Sequence, residues 1–254
     1  MSELFLKGSP IGKVKGILFD KDGTLSNSEE YLLSLSKYRI EESIKFFSQK
    51  KINQQVISDL ENLLTKTYGV TSKGLKPDST LAVASREHNI ISTATVFSIL
   101  GQSWPSSIFL ANKIFNKADN LNKSNFRRPL LPGFMHFLNK LIDKNIICSL
   151  ISNDNNLGIT DFLTNNNLDQ KITHYWSCEN NPQKPNPDAV KKLCNRLKLN
   201  PKDCALIGDA DTDLQMAKEA GIGLVLGYTG GWKNSPLLHY QHHLIHHWDE
   251  ISIV

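Results

Sequence analysis

Asp20 and Asp22 stand one residue apart at the end of an apolar run, Ile17-Leu18-Phe19, and Gly23 follows at once with a turn. Two carboxylates sharing one site have split pKa values, so one can act as an anion while the other carries a proton. A short, continuously apolar run closed by glycine suits a strand buried on both faces. In parallel sheets, ligands bind outside the carboxyl ends of the strands. Side chains alternate along a strand, so extended geometry through Asp22 predicts both carboxylates on one side and Lys21 on the other. Acids recur in Gly208-Asp209-Ala210-Asp211-Thr212-Asp213, after the apolar run Cys204-Ala205-Leu206-Ile207. Between the two lie Ser152-Asn153, at the end of the apolar stretch 146–151, and Lys184-Pro185. Taken singly, Ser-Asn reads as an ordinary turn, a lysine before proline as a solvated cation, and the late acids as a helix cap.

These groups need elements to position them. From about residue 131 the chain alternates helix and strand. Helices are expected over 134–144, to about 166, from an opening at Lys184-Pro185-Asn186-Pro187-Asp188 to about 198, and to 220; strands are expected at 146–151, 172–177, 204–207 and 222–226. With Ile17-Leu18-Phe19 as the first strand, this order predicts an α/β fold with a parallel sheet covered on both faces. From about Ser28 to Lys123 the pattern is helical instead. Helices are expected after a Ser28 cap, over 53–68, over 79–100 and over 105–120, with a polar loop at 73–78. The domains expected are thus a core, 1–26 and 126–254, and an inserted helical unit, 27–125. The insertion leaves from the carboxylate-bearing end and is expected to close over it as a lid.

The stretch Asp20-Lys21-Asp22-Gly23-Thr24 resembles the first signature of the haloacid dehalogenase (HAD) superfamily. Ser152, Lys184 and the Asp209/Asp213 pair match its second, third and fourth motifs in order. The resemblance implies a Rossmann-like core with a helical cap inserted after the first strand, in the phosphoglycolate phosphatase-like branch. It implies a phosphatase of a small phosphorylated metabolite. Asp20 would be the nucleophile, forming an aspartyl-phosphate. Asp22 would serve as general acid and then base, and Lys184 would offset charge. Ser152, Asn153 and Thr24 would bind phosphate or order the loop, Thr24 by orienting Asp22 or bonding nearby backbone. Mg2+ would be held by Asp20, the backbone carbonyl of Asp22, Asp209 and Asp213. Asp211 is a spare acid. A dehalogenase is disfavoured, since those enzymes lack the second acid. A phosphonatase would need a Schiff-base lysine in the cap, among Lys37, Lys45 and Lys73. The alternatives are a phosphomutase of the same fold and a non-catalytic binding module. Lys73, Lys76 and Arg86 are candidate anion contacts. Lys21 departs from the family pattern, which favours an apolar residue there; it is expected as a solvated or salt-bridged neighbour of the site, or else as a contact to substrate or cap.

Composition excludes other classes. The chain has 254 residues, enough for a full core, with 40% hydrophobic and 21% charged residues. A net charge of +4, without a dense basic block interleaved with aromatics, argues against a nucleic-acid partner. No apolar stretch reaches membrane-spanning length, and the N-terminal residues lack a signal-peptide pattern. The 4 cysteines show no CxxC spacing, which suits reduced, mostly buried thiols in a cytoplasmic protein. A monomer or a homodimer is expected. His239, His242, His243, His246 and His247 could supply part of a zinc set, but no cysteine lies near, and a polar segment around a last strand is expected. Trp104, Trp176, Trp232 and Trp248 are expected to pack.

Overall fold

The structure is a computed structural model that describes residues 1–49, 53–122 and 128–254. The chain divides into two compact units, Met1–Ser28 with Arg128–Val254, and Glu29–Arg127. The domain boundary expected at 125/126 lies outside the described residues.

In chain order the elements are β1 (Ser2–Leu6), β2 (Ser9–Val14), β3 (Gly16–Phe19), α1 (Glu29–Gln49), α2 (Gln54–Tyr68), β4 (Val70–Thr71), β5 (Gly74–Leu75), α3 (Thr80–Val83), α4 (Arg86–Ile99) and α5 (Trp104–Asn122). They continue with α6 (Phe134–Asp143), β6 (Ile147–Ile151), α7 (Asn156–Asn165), β7 (His174–Trp176), α8 (Pro187–Arg196), β8 (Cys204–Gly208), α9 (Asp211–Glu219), β9 (Leu224–Tyr228), β10 (His243–Ile245) and β11 (Ile251–Ile253).

The first unit is built on a six-stranded parallel sheet in the order β10-β9-β8-β3-β6-β7. β3 lies centrally, with Gly16 opposite Ile147 on one side and Cys204 on the other. Its apolar residues divide by alternation. Ile17 and Phe19 enter a core with α6 and α7, through Phe134, Phe137, Ile159 and Phe162. Leu18 enters the opposite core with α8 and α9, through Val190, Leu193, Leu214 and Ala217. Helices thus cover both faces, which is why the strands read as unbroken apolar runs. Trp248 anchors the first core, stacked on Tyr228 at 4.7 Å between ring centres and edge-on to Phe134 at 5.0 Å. A separate antiparallel sheet, β11-β1-β2, was not legible in the sequence.

The second unit is helical, with one small ribbon of β4 and β5 where a loop was expected. The single helix expected over 79–100 is broken. Ala84 is extended, Ser85 caps α4 by accepting the His88 N–H, and Asn89 Nδ2 donates to the carbonyls of Thr80, Ala84 and Ser85. Side-chain amides that satisfy backbone carbonyls compete with helix continuation. Arg39 is buried over the Phe115 ring at 3.7 Å and reaches Asp119 at 3.5 Å. Arg86, a candidate anion contact, pairs with Asp119 at 2.8 Å and Asn116 at 2.8 Å.

Candidate active site

The strand ends of β3, β6 and β8 deliver the site. β3 stops at Phe19, and the chain then turns through Gly23, whose φ is +80°. The two carboxylates meet different cations, Asp20 meeting Lys184 and Asp22 meeting Lys21.

Asp20 faces a cation. Lys184 Nζ donates to Asp20 Oδ1 at 2.7 Å, pairs with Asp213 Oδ1 at 2.8 Å and donates to the Ile151 carbonyl at 3.2 Å. Three acceptors match the three protons of an ammonium. Burial works against the charged lysine, but Asp20 and Asp213 outweigh it and hold its pKa above the ordinary lysine value. Ser152, next to Ile151, is buried, and its hydroxyl accepts the Asp154 N–H at 3.1 Å. Asn153 is half-buried beside it.

Asp209 completes an acidic group. Oxygens of Asp20, Asp209 and Asp213 lie within 4.8 Å of one another, all three residues being buried. Burial, with Asp20 and Asp213 as neighbours, pushes the Asp209 carboxyl well above its usual range. Burial, against the opposing pull of Lys184, raises Asp213 to about 6. Three acids facing one lysine leave a deficit of positive charge, and their donors are all hard oxygens. That chemistry fits a divalent cation such as Mg2+. Two neutral donors also hold Asp209: Thr24 Oγ1 at 2.8 Å from Oδ1, and Trp232 Nε1 at 2.5 Å from Oδ2. Thr24 therefore serves Asp209, not Asp22 as one expectation had it. Trp232 does more than pack.

Asp22 sits in a second charge cluster. Lys21, expected as a solvated or salt-bridged neighbour of the site, forms an ion pair with Asp22 and lies 3.2 Å from Asp154 Oδ2. Its ammonium is wholly buried, 5.5 Å from the centre of the Phe162 ring. Arg128 Nη1 lies 3.0 Å from Asp154 Oδ2 and 3.9 Å from Asp22 Oδ1. Ser28, expected to cap α1, donates its hydroxyl to Asp22 Oδ1. Burial would raise the Asp22 pKa, but Lys21 and Arg128 override it and hold the carboxyl well below the usual range. Asp154 and Arg128 were missed from sequence. Asp154 packs closely on Gly158, where a Cβ would meet both its carboxylate oxygens at 2.4 Å.

The late histidines have structural partners. His239 donates its backbone N–H to Asp211 Oδ1 and sets Nδ1 2.7 Å from Oδ2, which accounts for the spare acid. His242 Nδ1 accepts the Val225 N–H, and His246 Nδ1 lies 2.6 Å from Thr229 Oγ1. The four cysteines form no disulfide, and burial pushes the Cys148 thiol up to about 12. Among the described residues, no helix is long and apolar enough to cross a membrane.

No curated protein matches the chain. Its fold is similar to a predicted phosphoglycolate phosphatase from Haemophilus somnus, at 22% identity and TM-score 0.60 over 89% of this chain and 90% of that one. It is also similar to a HAD-superfamily hydrolase, subfamily IA, variant 1, from Geobacter sulfurreducens, at 17% identity and TM-score 0.58 over 94% and 95% of the two chains. A third similar structure is CbbY from Rhodobacter sphaeroides in complex with xylulose-(1,5)-bisphosphate, at 14% identity and TM-score 0.55 over 92% and 95%. A family model for haloacid dehalogenase-like hydrolases matches residues 17–226, from β3 through the fourth motif into β9, and the chain belongs to that family.

Proposed function

We propose that this hydrolase is an Mg2+-dependent phosphatase of a small phosphorylated metabolite, of the phosphoglycolate-like monoester class, working in the cytoplasm through an aspartyl-phosphate on Asp20. The observation that carries the reading is Lys184 set between Asp20 and Asp213, beside Asp209. Asp20, Asp209, Asp213 and the backbone carbonyl of Asp22 would hold Mg2+, which when bound offsets the negative charge of nucleophile and phosphate.

The protein residues divide the work. Lys184 holds the Asp20 carboxylate in place and neutralises part of its charge as a phosphate dianion approaches. Ser152 and the Asn153 N–H bind phosphate oxygens. An Asp20 oxygen attacks phosphorus, the bond to the ester oxygen breaks, and that oxygen takes a proton from the Asp22 carboxyl. The Asp22 carboxylate then takes a proton from water as the water attacks phosphorus. The bond to Asp20 breaks, and inorganic phosphate leaves. Lys21 and Arg128 keep Asp22 ionised, the form needed for the second half. The first half draws on the small protonated fraction that these cations leave.

Phosphate release from a panel of phosphorylated metabolites, with and without Mg2+, tests the reading. Turnover of one small monoester that needs both Mg2+ and Asp20 supports it. No release from any member, or release that survives Asp20→Asn, sinks it.

A further inference from the structure

We infer that Trp232 is a positioning residue for the divalent cation, acting through Asp209, and that Gly230 and Gly231 are there to deliver its indole N–H. The inference rests on the metal reading above and adds a residue to it.

The indole of Trp232 is buried, and its N–H points at a carboxylate. The other buried indoles with an assigned donor bond use backbone carbonyls. Trp176 donates to Pro182 O at 2.8 Å, and Trp248 donates to Thr24 O at 3.3 Å. Trp232 alone of these three meets an acid that has two other acids beside it. With Thr24 on the opposite oxygen, both oxygens of Asp209 are fixed by donors from two separate loops. These donors fix the rotamer, so the carboxylate is already aimed when a cation arrives.

Backbone approach shows that the donor is placed there closely. A Cβ on Gly23 would lie 2.3 Å from both Trp232 Nε1 and Asp209 Oδ2, so the N–H reaches the acid across the bare face of that residue. A Cβ on Gly231 would lie 1.7 Å from the Gly23 carbonyl oxygen, and one on Gly230 would lie 2.2 Å from the His246 carbonyl oxygen. The loop after β9 is thus pressed between the Asp-Lys-Asp-Gly turn and the segment at His246. Thr229 pins it there, donating its N–H to Ile245 O at 2.9 Å while its hydroxyl meets His246 Nδ1. A tryptophan that only fills space needs no such approach.

The test is Trp232→Phe, which keeps a ring and removes the donor. Calorimetric titration with Mg2+ should show affinity weakened 10- to 100-fold, the usual range for loss of a partner to a metal ligand. In 15N spectra of the native protein, the indole cross-peak absent from the variant should shift as Mg2+ is added. Binding within twofold of native, by a variant with native melting temperature in EDTA, overturns the role of Trp232 and leaves the metal reading standing. If the variant does not fold, the native spectrum decides through the indole peak with a through-space contact to Gly23: no shift on saturation overturns the inference. A native protein that binds no Mg2+ sinks the metal reading, and this inference with it.

Discussion

Lys21 and Asp22, neighbours in sequence, form an ion pair whose lysine is wholly buried. The residue between the paired acids is therefore part of the site's electrostatics. It sets the charge state of the carboxylate proposed to move protons, with Arg128 as the second cation.

Lys21→Met should release that hold. The Asp22 pKa would rise towards its ordinary value, and each unit raises the protonated fraction about tenfold at neutral pH. Alkyl phosphates, whose leaving oxygen needs a proton, should gain in first-step rate relative to p-nitrophenyl phosphate by about 3- to 10-fold at pH 7. Rapid-mixing measurement of both esters checks it, and an unchanged ratio would remove Lys21 from control of the proton. A depressed carboxylate stabilises the fold above about pH 4 and loses that contribution as pH falls towards its folded value. The variant should accordingly lose about 1–3 kcal/mol at neutral pH, a buried pair discounted for the partial exposure of Asp22, and less below pH 4.

Asp20→Asn and Asp22→Asn should fail differently. The first should form no phosphoryl-enzyme with any ester. The second should slow phosphorylation by alkyl phosphates by roughly 10²–10⁴-fold and by p-nitrophenyl phosphate much less. Because water activation is also lost, the aryl ester should give a stoichiometric burst followed by slow turnover. Equal slowing with both esters would take the acid role from Asp22.

Lys184→Met leaves Asp20 and Asp213, with Asp209 beside them, without the cation that the first two share. In EDTA the variant should lose about 3–5 kcal/mol, as when one partner of a buried pair is removed. Mg2+ binds only the folded form and should restore part of the loss, so the melting temperature of the variant should respond to Mg2+ more than that of the native protein. Equal responses would argue that no cation enters the acidic group.

Stability should couple to Mg2+ through pH. Asp213 is raised to about 6 and Asp209 is also raised well above its usual range, so the folded, metal-free protein binds protons there that the unfolded chain releases near pH 4. Their contribution is most favourable below pH 4 and declines as pH rises through 6. Mg2+ competes with those protons, so the increase in melting temperature on adding Mg2+ should be small at pH 4.5 and large at pH 7.5. Activity should vanish with EDTA and return with Mg2+. An Mg2+ effect independent of pH would detach these acids from the metal.

Much of the core was legible because its strands are buried on both faces. Runs such as Leu206-Ile207 and Leu150-Ile151 need no partner to be recognised, and the motif residues sit where those runs stop. Lys184 was legible by spacing, and the structure brings it to Asp20. What escaped depends on contacts distant in sequence. Pairing of β1 with β11 joins Leu4 to Ile253, and half-exposed strands at such separation carry little periodicity. Trp232 and Arg128 were opaque for the same reason: neither has a local signature, and each acquires meaning only from the acid it meets. Lys21 was legible as a salt-bridged neighbour of the site, and alternation from Phe19 puts it on the side of Phe162, but its burial and its second partner Asp154 were not.

The central position of β3 has a consequence for synthesis. Both of its partners, β6 and β8, come much later in the chain. Roughly 130 residues separate Gly16 from Ile147, so at ribosomal rates β3 waits about 7–26 s for its first parallel neighbour. During that interval an apolar strand with two open edges leaves the ribosome, the kind of segment that pairs with other chains. A nascent chain arrested before β6 should therefore associate with chaperones through residues 16–19, and one arrested after β8 should not.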